Sequence, residues 1–595
     1  MSTRATRSPR RRTVIALAVV LAVLAGFIVR LVDIQVVNAE ENMAQAKSYS
    51  LGASRPLYGT RGAIVDESGQ TLAGSILLYD GVLDPKNVGT YTRTTAAGVT
   101  EKVTWEQASG EIAGITGQSA ADIQKIVASA LAADPADQYE RFQRGLTTEQ
   151  YRALVETGAP YLSFEQHPAR TYPDGAVAGN LLGFMGIDGD ALQGLELSQD
   201  SCLAATNGSL TYEKGKDGVV IPGTETTDPA VNGGTLQLTI NRDLNWYLQQ
   251  LIGEQVQDMG AKRGTITVVE AKTGKIRAAA EYPSVDPNNV SAAAQDDQRS
   301  HIFTDTFEPG STFKALTAST VLDAGGQTLD STVVASSREK FPNGASVQDA
   351  FTHDAYDYTL AGVLIDSSNA GISKFSETVS PQTRFDYLQK FGIGQGSAVG
   401  FGGEAKGDLV PVANWDNQQT YNTSFGQGVT TTVPELVGAY GAIANGGLKM
   451  PLSLVESCTK ADGTVITPTL PEPTQVLSAQ TSAEMREILE NVAMQAGYAK
   501  QVAIPGYRIA TKTGTGEKSD GNGRYKAGVY FTTMIGFAPA DDPQYIVAVT
   551  LDEPTTITSS SANAPAFQKA MTQVLKTYRV MPSTTQPTVL PKFGE

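Results

Sequence analysis

The chain has 595 residues, 41% hydrophobic and 18% charged, a globular composition over more length than one ordinary core holds, so two or more domains are expected. A formal net charge of −16 supplies no basic stripe for phosphates and excludes a nucleic-acid partner. The two cysteines, Cys202 and Cys458, exclude Cys-x-x-Cys redox motifs and cysteine-based metal sites, and leave open whether they pair in an oxidising compartment.

The charge is uneven along the chain. Arg4, Arg7, Arg10, Arg11 and Arg12 precede an almost unbroken apolar run, Thr13–Val29, and the first acidic residue is Asp33. The run is near the lower limit for crossing a bilayer, and Arg30 can snorkel to extend it. Arginines ahead of it hold that end in the cytoplasm and send the rest outside. Residues 1–12 are therefore read as a cytoplasmic basic tail and 13–35 as a single-pass anchor in the cell membrane. A cleavable signal peptide ending at Ala39 is the alternative, disfavoured because the run exceeds the usual signal-peptide core.

Asp33–Ala46 continues as a helix, and Arg61–Ala73 reads as two strands about a turn at Ser68-Gly69. Polar amphipathic patterns predict helices at Trp105–Ile115, Ala120–Leu131 and Thr148–Glu156, and glycine-rich irregular sequence from Tyr172 to Gly233. Residues 36–235 are taken as one domain and 236–580 as a second. The second contains a helix at Asp243–Met259 and a hairpin, Gly264–Glu270 and Lys275–Tyr282, about Thr273-Gly274. A helix at Thr312–Ala324 follows, then strands at Tyr507–Thr513, Val529–Phe537 and Tyr545–Leu551, and a closing helix at Ala564–Thr577. Runs joined by short connections predict an antiparallel sheet. Residues 581–595, rich in proline and threonine, are expected to be a flexible tail.

Three short motifs carry chemistry. Ser311-Thr-Phe-Lys314 opens the helix Thr312–Ala324, where a spacing of three puts hydroxyl and amine on one face. A lysine desolvated in a pocket can be neutral enough to take the serine proton, and the helix start offers unpaired N–H groups to an oxyanion. Ser367-Ser-Asn369 offers a hydroxyl to relay protons and an amide to hold a peptide group. Lys512-Thr513-Gly514-Thr515, at the end of the run Tyr507–Thr511, offers a cation, two hydroxyls and a glycine that admits substrate to the backbone. Each motif has a decoy: Ser337-Arg-Glu-Lys340 in a charged stretch, Ser561-Ala-Asn563 as a helix cap, and Lys272-Thr-Gly274 on a hairpin turn. No Gly-x-Ser-x-Gly elbow or His-Glu-x-x-His metal motif is present, and His167, His301 and His353 are scattered, His301 being expected to pack rather than react.

The ordered set S-x-x-K, S-x-N, K-T-G resembles the penicilloyl-serine transferases. Across most of the chain the resemblance is to class B high-molecular-weight penicillin-binding proteins. Arg61-Gly with Asp66, Gly69 and Leu72-Ala73 resembles the start of their pedestal, and Arg170-Thr-Tyr-Pro173, Gly183-Phe-Met-Gly186 and Gly194-Leu-Glu196 its close. Phe425-Gly-Gln-Gly428, Ala444-Asn-Gly-Gly447 and Gly536-Phe-Ala-Pro539 are similar to their transpeptidase domain.

The resemblance implies an α+β fold: a transmembrane helix, an elongated pedestal or dimerisation domain, then a transpeptidase domain with an antiparallel sheet flanked by helices. It implies peptidoglycan D,D-transpeptidation without cofactor or metal. Ser311 would be the nucleophile attacking a D-Ala-D-Ala stem peptide, Lys314 the base and Ser367 a proton shuttle. Asn369 would hold the donor peptide, Lys512, Thr513 and Thr515 would receive its carboxylate, and Gly514 would let the substrate approach the backbone. The N–H groups of Ser311 and Thr515 would form the oxyanion hole, β-lactams would acylate Ser311, and a polytopic glycosyltransferase would be the partner. The long pedestal resembles the septal type more than the elongation type. Alternatives are a D,D-carboxypeptidase and a non-catalytic scaffold or sensor; a β-lactamase is disfavoured because no Glu-x-x-x-Asn element stands at a plausible position between Asn369 and Lys512. The run Asp200–Pro222, which includes Cys202, departs from the family pattern.

Overall fold

The computed structural model describes residues 9–33, 37–38, 51–94, 98–186, 188–215 and 219–594. Residues 1–8 and most of the expected helix Asp33–Ala46 lie outside them. The chain forms two compact units, one of Met1–Gly59 with Thr206–Val231, the other of Thr60–Ala205 with Asn232–Glu595.

In the first unit, helix Pro9–Val32 contains the apolar stretch Thr13–Val32, long and apolar enough to cross a membrane, with none of it buried against protein. Strands Leu51–Leu57, Gly208–Lys214 and Thr226–Asp228 form a separate antiparallel sheet. Tyr172–Gly233 is thus not irregular throughout, as expected from its glycines. It also holds the short helices Gly179–Leu182, Gly194–Ser198 and Asp200–Leu203.

In the second unit, helices Trp105–Thr116, Ala120–Ala133 and Thr148–Glu156 form where expected because side chains satisfy their first N–H groups. Thr104 with Gln107, and Thr147 with Gln150, form capping boxes, and Ser119 caps the middle helix. Their inner faces bury Ile112, Ile123, Val127 and Leu154 with Leu83 and Phe142.

A seven-stranded sheet draws together segments far apart in sequence. Thr235–Leu238 pairs in parallel with Ile64–Val65 and antiparallel with Val455–Thr459. Beside it, Cys202 and Cys458 are joined as a disulfide with Cα atoms 6.0 Å apart. The carboxylate of Glu196, fully buried, accepts from Arg61 Nε and Arg170 Nε, each at 2.6 Å. A buried charge needs such partners, and these are three of the residues that carry the family resemblance.

The sheet that positions the site has five antiparallel strands in the order Ile276–Tyr282, Arg263–Glu270, Tyr545–Asp552, Tyr525–Ala538, Ala510–Ser519. Arg263–Glu270, Tyr545–Asp552 and the second half of Tyr525–Ala538 are buried on both faces, which is why they read as largely apolar runs. With the period of two, Met534 and Val547 pack against helices Arg242–Met259 and Ala564–Thr577, whereas Ile535 and Ala548 join the core around Phe313, Tyr440 and Leu489.

Two expectations change here. The strand of the K-T-G motif runs from Ala510 to Ser519, so Lys512 is inside it rather than at its end. Register with Tyr525–Ala538 continues through Thr515↔Thr532 to Glu517↔Tyr530, and this pairing overrides the poor strand propensity of Gly514 and Gly516. Asn563 precedes the last helix but does not cap it; its amide turns back to the Ser560 carbonyl.

The expected flexible tail is instead packed. Asn491 binds the Thr588 carbonyl and the Leu590 N–H, Gln495 the Leu590 carbonyl, and Thr359 the carbonyls of Pro591 and Lys592. Proline and threonine content reads as flexible, but the segment's backbone groups find fixed partners on neighbouring elements.

Candidate active site

Serine and lysine three residues apart meet only if the chain winds between them. Gly310–Thr312 forms a 3₁₀ turn leading into helix Phe313–Ala324, and Lys314 Nζ donates to Ser311 Oγ at 2.9 Å. That helix is apolar and buried nearly all round, so Lys314 is 0% exposed. The same Nζ donates to the Ser367 carbonyl and, at 3.1 Å, to Ser367 Oγ. Lys512, 1% exposed, reaches Ser367 Oγ at 3.0 Å and the Thr513 carbonyl at 3.3 Å. The fold therefore brings Ser311, Lys314, Ser367 and Lys512 into one hydrogen-bonded chain.

Both amines are out of water, and desolvation penalises their charged forms. Burial drives Lys314 well below its ordinary 10.5, the Lys512 charge pushes the same way, and Asp349 opposes them. Burial alone brings Lys512 down to about 7. Lys512 so placed exchanges its proton near neutral pH.

Ser367 is held in the left-handed region, φ 58°, rare for a residue with a side chain. Its neighbours fix it there. Ser368 caps helix Asn369–Ser376 through the Gly371 N–H at 2.8 Å and donates to Asp349 Oδ2 at 2.7 Å, while Ala370 N–H reaches Asp349 Oδ1 at 2.8 Å. Asn369 starts that helix, and its amide nitrogen donates to the Gln348 carbonyl at 3.0 Å rather than to the lysine–serine chain.

Thr513 and Thr515 share one face of their strand, with Lys512 and Gly514 on the other. The strand is the edge of its sheet, and its face that carries Gly514 meets the serine turn closely. A Cβ on Gly514 would lie 2.4 Å from the Pro309 carbonyl oxygen, and one on Gly310, at φ +53°, 2.4 Å from that of Thr515. Only glycine permits this approach at both points.

The decoys fall elsewhere. Arg338–Lys340 is one strand of a small hairpin, and Lys272 pairs with Asp542 at 2.9 Å beside the Gly274 turn. His301 binds Asp305 at 2.8 Å and packs, as expected.

Residues 264–572 match the family model described as the penicillin binding protein transpeptidase domain, and residues 56–238 that of the penicillin-binding protein dimerisation domain. The chain belongs to the class B penicillin-binding proteins. Penicillin-binding protein PbpB of Mycobacterium tuberculosis is 32% identical over 583 residues, 94% of this chain and 83% of that one. Peptidoglycan D,D-transpeptidase FtsI of Escherichia coli K12 is 28% identical over 565 residues, 95% and 91% of the two chains. Among solved structures, a peptidoglycan synthetase from Bifidobacterium adolescentis superposes with a TM-score of 0.72 at 27% identity, covering 91% of this chain and 100% of that one. Penicillin binding protein 3 of M. tuberculosis, complexed with aztreonam, gives 0.69 at 26% identity with the same coverages, 91% and 100%.

Around the motifs, this penicillin-binding protein uses residues that sequence reading missed. Asp349 is the buried support of Ser368, and His353 Nε2 lies 2.9 Å from its Oδ2. Burial opposes charge on His353, but the bonds to Asp349 and the Asp354 carbonyl, with the charges of Asp349 and Asp366, outweigh it and raise the imidazole above its ordinary 6.5. Glu308, just ahead of the serine turn, binds the Gly428 N–H at 3.0 Å and the Tyr525 hydroxyl at 2.9 Å. Phe425-Gly-Gln-Gly428 pointed to this region; no local pattern points to Asp349, His353 or Tyr525.

Proposed function

We propose that this protein is a septal-type D,D-transpeptidase that cross-links peptidoglycan stem peptides through an acyl group on Ser311. The observation that carries the reading is the chain Ser311 Oγ–Lys314 Nζ–Ser367 Oγ–Lys512 Nζ, with links of 2.9, 3.1 and 3.0 Å. Neutral Lys314 takes the Ser311 proton as Oγ attacks the carbonyl of the penultimate D-Ala. The oxyanion is received by the N–H groups of Ser311 and Thr515. As the C–N bond breaks, Ser367 Oγ gives its proton to the departing amine and regains one from Lys314. In deacylation the acceptor amine attacks the ester, its proton passes back along the same chain, and Ser311 is released.

An extended donor peptide lies along the free edge of Ala510–Ser519, with its carboxylate met by Lys512, Thr513 and Thr515. Asn369, whose amide nitrogen is engaged by Gln348, offers its oxygen to a donor N–H. The relatives named FtsI and PbpB support the septal assignment and, with it, a polytopic glycosyltransferase partner. Helix Pro9–Val32 serves as a single-pass anchor with the catalytic domain on the extracytoplasmic side. β-Lactams acylate the same serine.

Labelling of the purified protein with a fluorescent penicillin tests the nucleophile. The wild type should label stably and Ser311→Ala not at all; label that survives Ser311→Ala means another nucleophile. With a stem-peptide donor and an acceptor amine, a product distribution dominated by hydrolysis at saturating acceptor would indicate a carboxypeptidase instead.

A further inference from the structure

The segment expected to be a loose tail reaches the back of the S-x-N turn. Helix Leu360–Ile365 delivers the chain to that turn: Asp366 is its C-cap and Ser367 follows. Thr359 caps the start of the helix, accepting from the Gly362 N–H at 2.9 Å. The Thr359 hydroxyl donates in turn to the Pro591 carbonyl at 2.7 Å, and the Thr359 N–H to that of Lys592 at 3.1 Å. The Lys592 carbonyl lies so close to the helix that a Cβ on Gly362 would be 1.8 Å from its oxygen. At the other end of the helix, Lys592 Nζ donates to Asp366 Oδ1 at 2.6 Å. One residue thus grips the first turn with its backbone and the last residue with its side chain.

Both flanks of Lys592 are fixed. Leu590 is bonded to Asn491 and Gln495 of helix Ala479–Gln495, and the Gly594 N–H reaches the Asp357 carbonyl at 2.8 Å. Phe593 packs against Tyr356 and Tyr358, with ring centroids 5.0 and 5.2 Å apart.

We propose that Leu590–Gly594 is a strap that positions Ser367 for catalysis, with Lys592 as the positioning residue acting through its ion pair with Asp366. A left-handed serine persists only where its surroundings over-determine it, and the residue before Ser367 is the one the strap holds. Lys592 also balances a carboxylate one residue from the proton shuttle. The inference rests on Ser367 belonging to the reacting chain.

The test measures β-lactam acylation by the full-length protein, separating the acylation rate constant from the dissociation constant of the non-covalent complex. Ser311→Ala runs alongside, so that failure of the nucleophile assignment is seen separately. Lys592→Met should slow acylation about ten- to a hundred-fold, as small displacements of catalytic groups do. The non-covalent dissociation constant and the melting temperature should stay near wild type, and Lys592→Arg should restore the rate. Asp366→Asn should be similarly slow, and the double variant no slower than either single one. Wild-type acylation by a folded Lys592→Met overturns the proposal. So does a loss that tracks only the melting temperature, which makes the strap a stabilising element. If Lys592→Met fails to fold, Asp366→Asn alone decides by the same criteria.

Discussion

Burying two lysines side by side should cost stability, and the cost at Lys512 has a distinctive pH signature. In the folded protein Lys512 titrates at about 7, against an ordinary 10.5. Between these values the unfolded chain holds a proton that the folded one does not, so stability rises with pH at about 1.4 kcal/mol per unit. Relative to the neutral form, the folded state is penalised by about 4 kcal/mol at pH 7 and about 2 kcal/mol at pH 9. Lys512→Met removes this penalty with a side chain of similar length, and loses the bonds to Ser367 Oγ and the Thr513 carbonyl. Those bonds offset roughly 1–3 kcal/mol of the gain. The net expectation is a variant more stable than wild type at pH 7, inactive, and with an advantage about 2 kcal/mol smaller at pH 9. Denaturant unfolding of both proteins at the two pH values measures it. The lost hydrogen bonds cancel in the comparison between pH values, so that difference isolates the titration. An advantage that does not change between pH 7 and pH 9 would refute a depressed Lys512.

The same two groups predict a bell-shaped pH profile for acylation by a β-lactam that bears a carboxylate. Activity should rise as Lys314, lowered chiefly by burial, loses its proton, and fall above about 7 as Lys512 loses the charge that receives the carboxylate. An esterified β-lactam should keep the rising limb and lose the falling one; stopped-flow acylation across the pH range checks this. Gly514→Ala should abolish most labelling and lower the melting temperature, because the new Cβ meets the Pro309 carbonyl oxygen at 2.4 Å. Gly438→Ala, in the helix Val433–Ala444 with nothing within 4 Å of its Cβ, should label normally and gain about 0.5–1 kcal/mol. Cys202→Ser should destabilise the folded protein by about 2–5 kcal/mol, since the bond closes a loop across a sequence separation of 256 residues. An unchanged unfolding midpoint would show that the crosslink constrains nothing in the unfolded chain.

What was legible in the sequence is what local physics decides. The S-x-x-K pair meets because a helix returns every three or four residues, and the three helices near residues 105–156 begin where Thr104, Ser119 and Thr147 can cap them. The hairpin about Gly274 announced itself by turn chemistry, and the apolar strands by burial on both faces. What stayed hidden depends on partners distant in the chain. Lys512 lies inside a strand rather than at its end because Tyr525–Ala538 pairs along its whole length, and pairing is not written in the strand's own residues. His353 looked isolated because its partner Asp349 supports Ser368, not Ser311.

The tail is the sharpest case. Proline and threonine weaken the local preference for any regular element, and local preference is all that composition reports. Its order comes from fixed acceptors and donors presented by Thr359, Asp366, Asn491 and Gln495, more than ninety residues away in every case. The three elements of the site differ in this respect: Ser311 is set by its own helix, Lys512 by a neighbouring strand, and Ser367 by a turn whose supports are Asp349 on one side and Lys592 on the other. The nucleophile is the part fixed most locally, and the proton shuttle the part fixed least. Substitutions distant from Ser311 should therefore alter the acylation rate mainly where they loosen Ser367, and leave the Ser311–Lys314 pair intact.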